Sequence, residues 1–110
     1  MTRILFLCAD GRARGPTAAQ IFAERPGIAT DFAAVESGAA DAVSAEQLDW
    51  ADVIMVMELR HKTRLAERFG AKLRGRPVIN LNIPDRFTFM DDRLVVLMRD
   101  MADEHLKGRQ

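Results

Sequence analysis

The only cysteine of the chain, Cys8, lies at a position where it could act on a bound anion. It ends the apolar run RILFLC and precedes a turn that contains Gly11 and Arg14. Where such a turn leads into a helix, free backbone N–H groups and the positive end of the helix dipole favour an anion. Gly11 lets these N–H groups converge, and the Arg14 guanidinium can hold two phosphate oxygens. The turn therefore predicts a phosphate-binding loop made of Ala9, Asp10, Gly11, Arg12, Ala13 and Arg14.

A thiol at the base of this loop is placed to act as a nucleophile. Nearby N–H groups and a guanidinium stabilise the thiolate, which is the reactive form of cysteine. A thiolate beneath a bound phosphate can attack phosphorus in line. The alternative is that Cys8 is only a small apolar residue at the end of a buried strand. The strand, the turn, Arg14 and a helix that opens with Pro16 occur in the right order for the nucleophile.

The hydrophobic pattern predicts the elements that must position the loop. Continuous apolar runs indicate strands buried on both faces, and apolar residues at helical spacing indicate amphipathic helices. We expect strands at residues 3–8, 32–35, 53–57 and 78–81, and helices at residues 15–25, 44–49, 58–69 and from Asp91 or Asp92 onward. This alternation predicts an α/β fold, a four-stranded parallel sheet with helices on both faces. Ligands of such sheets bind at the carboxyl ends of the strands, where both Cys8 and the loop at residues 82–90 fall.

Length and charge set the remaining limits. A chain of 110 residues predicts a single domain, residues 1–110. Its 16 basic and 16 acidic side chains cancel, so bulk charge favours neither a nucleic acid nor a membrane as partner. The charges are unevenly spread: residues 31–52 are acidic and residues 58–76 are basic. A single cysteine excludes an internal disulfide, and with no recognisable signal peptide we expect a cytoplasmic protein.

With Pro16-Thr17 behind it, the Cys8-x5-Arg14 spacing resembles the phosphate loop of the low-molecular-weight protein tyrosine phosphatases, which has the form C-x-x-N-x-x-R-S-P-T. The resemblance extends over nearly the whole chain. Residues 36–39 resemble a Ser-Ala-Gly-like turn of the family, residues 50–57 a strand that runs into Met, and residues 83–87 its acid loop. The chain is most similar to a short bacterial branch with the phosphatase I-like fold.

The resemblance implies a two-step hydrolysis of a phosphomonoester, such as a phosphotyrosine. Cys8 would form a phosphocysteine, Arg14 and the loop amides would hold the phosphate oxygens, and Asp85 would serve as general acid and then base. Phe87 would form a wall for the substrate. The substrate would be a phosphorylated protein or a small phosphomonoester, and inorganic phosphate would be the product. The resemblance implies no cofactor and no metal.

Several alternatives stay open from the sequence. Asp91 could replace Asp85 as the acid, although Asp91 and Asp92 are better placed to cap a helix, and Phe87 could be a core residue. Gly11 and Gly15 replace the Asn and Ser of the family loop, and Asp10 adds a negative charge to it. The chain could therefore be a weak or inactive phosphate- or phosphoprotein-binding module, or an arsenate reductase that uses an external thiol. His61 and His105 are expected to be solvated helix residues.

Overall fold

Four parallel strands form one sheet in the computed structural model, which describes residues 1–107. The strands are β1 (Thr2–Cys8), β2 (Ile28–Ala34), β3 (Val53–Val56) and β4 (Val78–Asn80). Their order across the sheet is β2-β1-β3-β4, and every neighbouring pair is parallel. The predicted α/β fold with a four-stranded parallel sheet is confirmed. Since β1 is an interior strand, its carboxyl end, and with it Cys8, has a strand on either side.

Four helices connect and cover the strands. They are α1 (Arg14–Phe22), α2 (Ala45–Trp50), α3 (Leu59–Phe69) and α4 (Asp92–His105), and a short 3-10 turn (Gly70–Leu73) extends α3. A capping box joins Ser44 and Gln47 at the start of α2. Asp91 caps α4, because its side chain accepts a hydrogen bond from the backbone N–H of Arg93. Within residues 1–107, no helix is both long enough and apolar enough to cross a membrane.

The helices bury two separate apolar clusters, one on each face of the sheet. The first contains Phe6 and Phe22, whose rings meet edge to face with centroids 4.8 Å apart, together with residues of α4 and Cys8. The second lies under α2 and α3 and contains Leu48, Leu65 and inward-facing residues of β1 and β3. Strands with both faces covered are hydrophobic throughout, which is why β1 and β3 read as continuous apolar runs.

The second strand is longer than its sequence predicts. The apolar signal lies at residues 32–35, but β2 begins at Ile28, where it pairs with Thr2 of β1. The first half of β2 is only half-buried, so it has no strong apolar pattern. Pairing with β1 rather than hydrophobicity decides its extent. The first helix is shorter than predicted, since α1 ends at Phe22 instead of near residue 25.

Hydrogen bonds beyond the strands fix the loop that follows β4 at the carboxyl edge of the sheet. Leu81 N donates to Val56 O (2.8 Å), and Ile83 N donates to Met57 O (2.9 Å). At the far end of the loop, Met90 N donates to Oγ1 of the fully buried Thr17 (3.0 Å). The loop is therefore tied to β3 at one end and to α1 at the other.

We expect Thr17→Val to weaken the attachment of this loop. Valine has the shape of threonine but no acceptor for the partly buried N–H of Met90, so the free energy of unfolding should fall by about 1–3 kcal/mol. Denaturant unfolding of wild type and variant measures this change. Thr63→Val is the control, because Thr63 is an exposed residue of α3 and its replacement should change stability by less than about 0.5 kcal/mol. Equal effects of the two substitutions would contradict the anchoring role.

Candidate active site

The predicted phosphate loop connects the end of β1 to the start of α1. Cys8 is the last residue of β1 and is 1% exposed. Gly11 has a φ of +73°, which lies in the left-handed region that glycine adopts at no steric cost. The backbone of Gly15, in the first turn of α1, passes so close that a Cβ there would lie 3.2 Å from Cys8 Sγ. The thiol therefore faces the N-terminus of a helix, where the helix dipole favours negative charge.

The side chain of Arg14 turns into the protein and is 2% exposed. Its Nη1 donates to Glu58 Oε2 (2.6 Å) and to the backbone oxygen of Ile83 (2.7 Å). Its Nη2 lies 3.8 Å from Asp85 Oδ2. The guanidinium is thus held at the carboxyl edge of the sheet by the segments that follow β3 and β4. Sequence reasoning placed Arg14 in the site but missed both acceptors of its hydrogen bonds.

Glu58 links Arg14 to the start of α3. It accepts hydrogen bonds from Arg14 and from Arg60 Nε (3.1 Å), and its Oε2 lies 3.7 Å from His61 Nε2. The hydrogen bond from Arg14 is the main cause that lowers the pKa of Glu58, and Arg60 adds to it, while burial acts in the opposite direction. Glu58 is therefore a charged partner for Arg14. Its place directly after the strand predicted at residues 53–57 was the available signal in the sequence.

Of the three aspartates considered for the acid role, only Asp85 faces Arg14. Its side chain is 58% exposed and lies on the loop after β4. Asp91 caps α4 and pairs with Arg93 (3.1 Å), whose hydrogen bond is the main cause that lowers the pKa of Asp91. Asp92 is the first residue of α4, so the start of that helix determines its position. The structure thus brings Asp85 to the predicted loop and gives Asp91 the capping position.

Two further predicted site residues have local partners. Phe87 is half-buried against the first apolar cluster, and the Arg93 guanidinium lies 5.5 Å from the centre of its ring. Asp10 is exposed, and its Oδ1 accepts a hydrogen bond from the backbone N–H of Arg12 (3.1 Å). One of the amides expected to bind phosphate therefore already has an acceptor within the loop.

The expectation that His61 is solvated is wrong. His61 is 3% exposed, and neither of its ring nitrogens has a hydrogen-bond partner among residues 1–107. Burial, and then the charge of Arg14, lower the pKa of His61. The first turn of α3 presents its side chain towards the sheet between exposed neighbours Arg60 and Lys62. His105 is half-buried near the end of α4, so it is only partly solvated.

No cluster of three or more His, Cys, Asp or Glu side chains that could hold a metal ion occurs in the described part of the chain. The two acidic residues next to Arg14, Glu58 and Asp85, come from different segments of the chain. The chemistry that this arrangement can perform is that of a buried guanidinium, a thiol at a helix N-terminus and a nearby carboxylate.

Solved bacterial phosphatases have this architecture. The low-molecular-weight protein tyrosine phosphatase SP-PTP from Streptococcus pyogenes is 13% identical, over 100% of this chain and 94% of its own, with a TM-score of 0.81. Wzb from Vibrio vulnificus, solved with benzylphosphonate, is 17% identical over 97% of this chain and 98% of its own, with a TM-score of 0.80. The YwlE arginine phosphatase from Geobacillus stearothermophilus is 22% identical over 99% of this chain and 96% of its own, with a TM-score of 0.77. The chain has the low-molecular-weight phosphatase fold. The fold that the sequence resemblance implied is therefore confirmed.

A mutant of the arginine phosphatase YwlE with serine in place of cysteine is also similar, with 22% identity over 98% of each chain and a TM-score of 0.73. That mutant has a phosphorylated active-site serine. No protein-family model matches this chain, and no curated protein sequence matches it. The likeness to low-molecular-weight phosphatases is thus one of three-dimensional structure.

The Arg14–Glu58 pair predicts a stability effect within this phosphatase fold. Glu58→Gln leaves a buried guanidinium without its charged acceptor, so the free energy of unfolding should fall by about 1–3 kcal/mol. Denaturant unfolding at pH 7.5 measures the loss. Glu67→Gln is the matched control, because it removes the same charge from an exposed position of α3. A loss no larger than that of Glu67→Gln would show that Arg14 does not depend on Glu58.

The burial of His61 predicts a dependence of stability on pH. Its folded pKa is below the usual 6.5, so the unfolded chain takes up a proton that the folded chain does not as the pH falls below about 6.5. The free energy of unfolding should therefore fall between pH 7.5 and 5.5, by no more than about 1.4 kcal/mol per pH unit for one proton. Around His61, Glu58 and Glu36 oppose this shift while Arg14 and Arg60 support it.

Urea unfolding of His61→Gln at pH 7.5 and 5.5 tests this prediction, and the decrease in stability should be smaller than in wild type. His105→Gln is the control and should keep the wild-type decrease. The carboxyl groups whose pKa is lowered, Asp52, Glu58 and Asp91, have ordinary values of 3.8, 4.5 and 3.8 and contribute only in more acidic solution. An unchanged decrease in His61→Gln would assign the pH dependence to another group.

Proposed function

We propose that this chain is a cysteine-dependent phosphatase that hydrolyses phosphomonoesters through a phosphocysteine intermediate. The observation that carries the proposal is the buried guanidinium of Arg14, held at the edge of the sheet where Cys8 meets the N-terminus of α1. A buried guanidinium beside a helix N-terminus is suited to a phosphate group. The phosphorylated active-site serine of the YwlE mutant supports a covalent intermediate at the corresponding kind of site.

In the first proposed step, the Cys8 thiolate attacks phosphorus, an S–P bond forms and the P–O bond to the leaving group breaks. Asp85 donates a proton to the leaving oxygen. Arg14 and the amides of residues 9–14 hold the remaining phosphate oxygens, whose negative charge must be stabilised as the reaction proceeds. Asp85 lies 3.8 Å from Arg14 and its side chain is exposed, which places its carboxyl group beside the proposed phosphate site.

In the second step, Asp85 takes a proton from a water molecule, which attacks phosphorus as the S–P bond breaks. Inorganic phosphate leaves and the Cys8 thiolate is restored. Gly15 lacks the hydroxyl that the family loop offers to the sulfur, so we expect this step to be slow relative to the first. The proposed substrate is a phosphorylated protein side chain or a small phosphomonoester in the cytoplasm, with Phe87 along one side of the site.

The test is hydrolysis of p-nitrophenyl phosphate. We expect steady turnover by wild type and none by Cys8→Ser, because the hydroxyl is a far weaker nucleophile at neutral pH. Asp85→Asn should lower turnover by roughly 10²- to 10⁴-fold while iodoacetamide still alkylates Cys8 at the wild-type rate. Asp91→Asn is the matched control and should retain turnover, since Asp91 caps α4.

Three outcomes would contradict parts of this proposal. Tight binding of inorganic phosphate without turnover would identify a phosphate-binding module instead of an enzyme. Full activity of Asp85→Asn, or a large loss in Asp91→Asn with normal folding, would move the acid role away from Asp85. Alkylation of Cys8 that phosphate does not slow would place the phosphate elsewhere.

A further inference from the structure

A small pocket lies beside the phosphate loop and takes no part in the proposed chemistry. Val35, Glu36, Arg60, His61 and Arg64 line it, and its volume is about 50 Å³. We call it the His61 pocket. It lies between the segment that follows β2 and the first turns of α3.

The feature of the His61 pocket that requires explanation is the histidine itself. His61 is 3% exposed, and neither Nδ1 nor Nε2 has a hydrogen-bond partner among residues 1–107. A buried polar group without a partner destabilises a protein, so native structures supply one. His61 is one of the residues that line the His61 pocket, so a group bound there lies beside the ring.

The charges of the wall favour an anion. Arg60 and Arg64 stand one helical turn apart on α3 and bring two positive charges, while Glu36 brings one negative charge. Glu58, whose Oε2 lies 3.7 Å from His61 Nε2, brings a further negative charge next to the ring, and Arg14 and Arg60 both pair with it. Arg64 has no ion pair with any residue in the described part of the chain, so it is the positive charge left for a bound anion. Two guanidiniums and a ring N–H offer donors that carboxylate or phosphate oxygens accept.

The size of the pocket suits the end of an acidic side chain. A single water requires about 10–15 Å³ of such space, so about 50 Å³ holds roughly three to five non-hydrogen atoms. A carboxylate group has three non-hydrogen atoms and therefore fits within the His61 pocket.

The pocket is joined directly to the phosphate loop. Its wall residues Val35 and Glu36 donate backbone hydrogen bonds to the carbonyl oxygens of Cys8 (2.9 Å) and Ala9 (3.2 Å). On the other side, Glu58 binds both Arg60 and the guanidinium of Arg14. The His61 pocket and the phosphate loop thus share the segment at Val35 and Glu36 and the ion pairs of Glu58.

We propose that the His61 pocket is a carboxylate subsite that binds an aspartate or glutamate side chain next to the phosphorylated residue of a protein substrate. Arg64 and the His61 ring donate hydrogen bonds to the carboxylate oxygens, and Arg60 adds a positive charge beside them. This inference rests on the proposed phosphatase function and specifies its substrate class, an acidic phosphoprotein segment.

The first experiment compares phosphotyrosine peptides that differ only by glutamate or glutamine beside the phosphorylated residue, on either side. We expect wild type to prefer one glutamate peptide by roughly three- to tenfold in kcat/KM. Arg64→Gln should remove that preference. Lys62→Gln, the matched control, removes the same charge from an exposed position of α3 outside the pocket and should keep the preference. Turnover of p-nitrophenyl phosphate, which has no carboxylate, should be equal in all three proteins.

The comparison separates the two proposals. If wild type does not hydrolyse p-nitrophenyl phosphate, the phosphatase function fails. If wild type hydrolyses p-nitrophenyl phosphate but hydrolyses the peptides equally, poorly or not at all, the carboxylate subsite is overturned. It is also overturned if Arg64→Gln keeps the preference for the glutamate peptide.

The second experiment needs no turnover and uses acetate as the carboxylate probe. Acetate is titrated while the ring signals of the two histidines are followed by NMR. We expect a saturable change at His61, weakened in Arg64→Gln, and none at His105, which is remote from the pocket residues in sequence and serves as the internal reference. Saturation by acetate without any preference for a glutamate peptide would overturn the substrate subsite and identify a site for a free carboxylate. No change at His61 would show that the pocket holds only water, which also overturns the proposal.

Discussion

The ion pair between Arg14 and Glu58 is the interaction on which the site depends. A guanidinium that is 2% exposed has lost nearly all of its water, and it is tolerable in the interior only where acceptors replace that water. Glu58 Oε2 at 2.6 Å and the carbonyl oxygen of Ile83 at 2.7 Å supply them. One side chain from the start of α1 therefore fixes the segments that follow two different strands.

The two terminal nitrogens of the Arg14 guanidinium have different neighbours. Nη1 is engaged by protein acceptors, whereas Nη2 points towards the exposed Asp85 at 3.8 Å. In the proposed phosphatase, the nitrogen that faces Asp85 would be the one that contacts the phosphate. Because Glu58 compensates the charge of Arg14, most of the proposed attraction for the phosphate would then come from the amides of the loop and the N-terminus of α1.

The sequence predicts the sheet and the loop well because both are local patterns. Continuous apolar runs mark β1 and β3, and the spacing from Cys8 to Arg14 marks the turn between β1 and α1. The start of β2 was missed, since a half-buried edge strand is defined by pairing with its neighbour and has little apolar pattern of its own.

The parts of the site that the sequence does not predict are non-local. Glu58 is 44 positions from Arg14, and the carbonyl of Ile83 carries no side-chain signal at all. His61 stands among charged neighbours and reads as solvated, because only the packing of α3 against the sheet reveals which side of the helix is buried. The capping position of Asp91 was predictable, since a helix cap has a recognisable sequence pattern.

The hydrogen bond between Asp10 Oδ1 and the backbone N–H of Arg12 gives the loop an anionic occupant of its own. In the proposed phosphatase, a phosphate bound through the Arg12 amide would compete with this carboxylate for the same donor. A doubly charged ligand would interact with that donor more strongly than a singly charged ion such as chloride, so the contact made by Asp10 would favour the more highly charged anion.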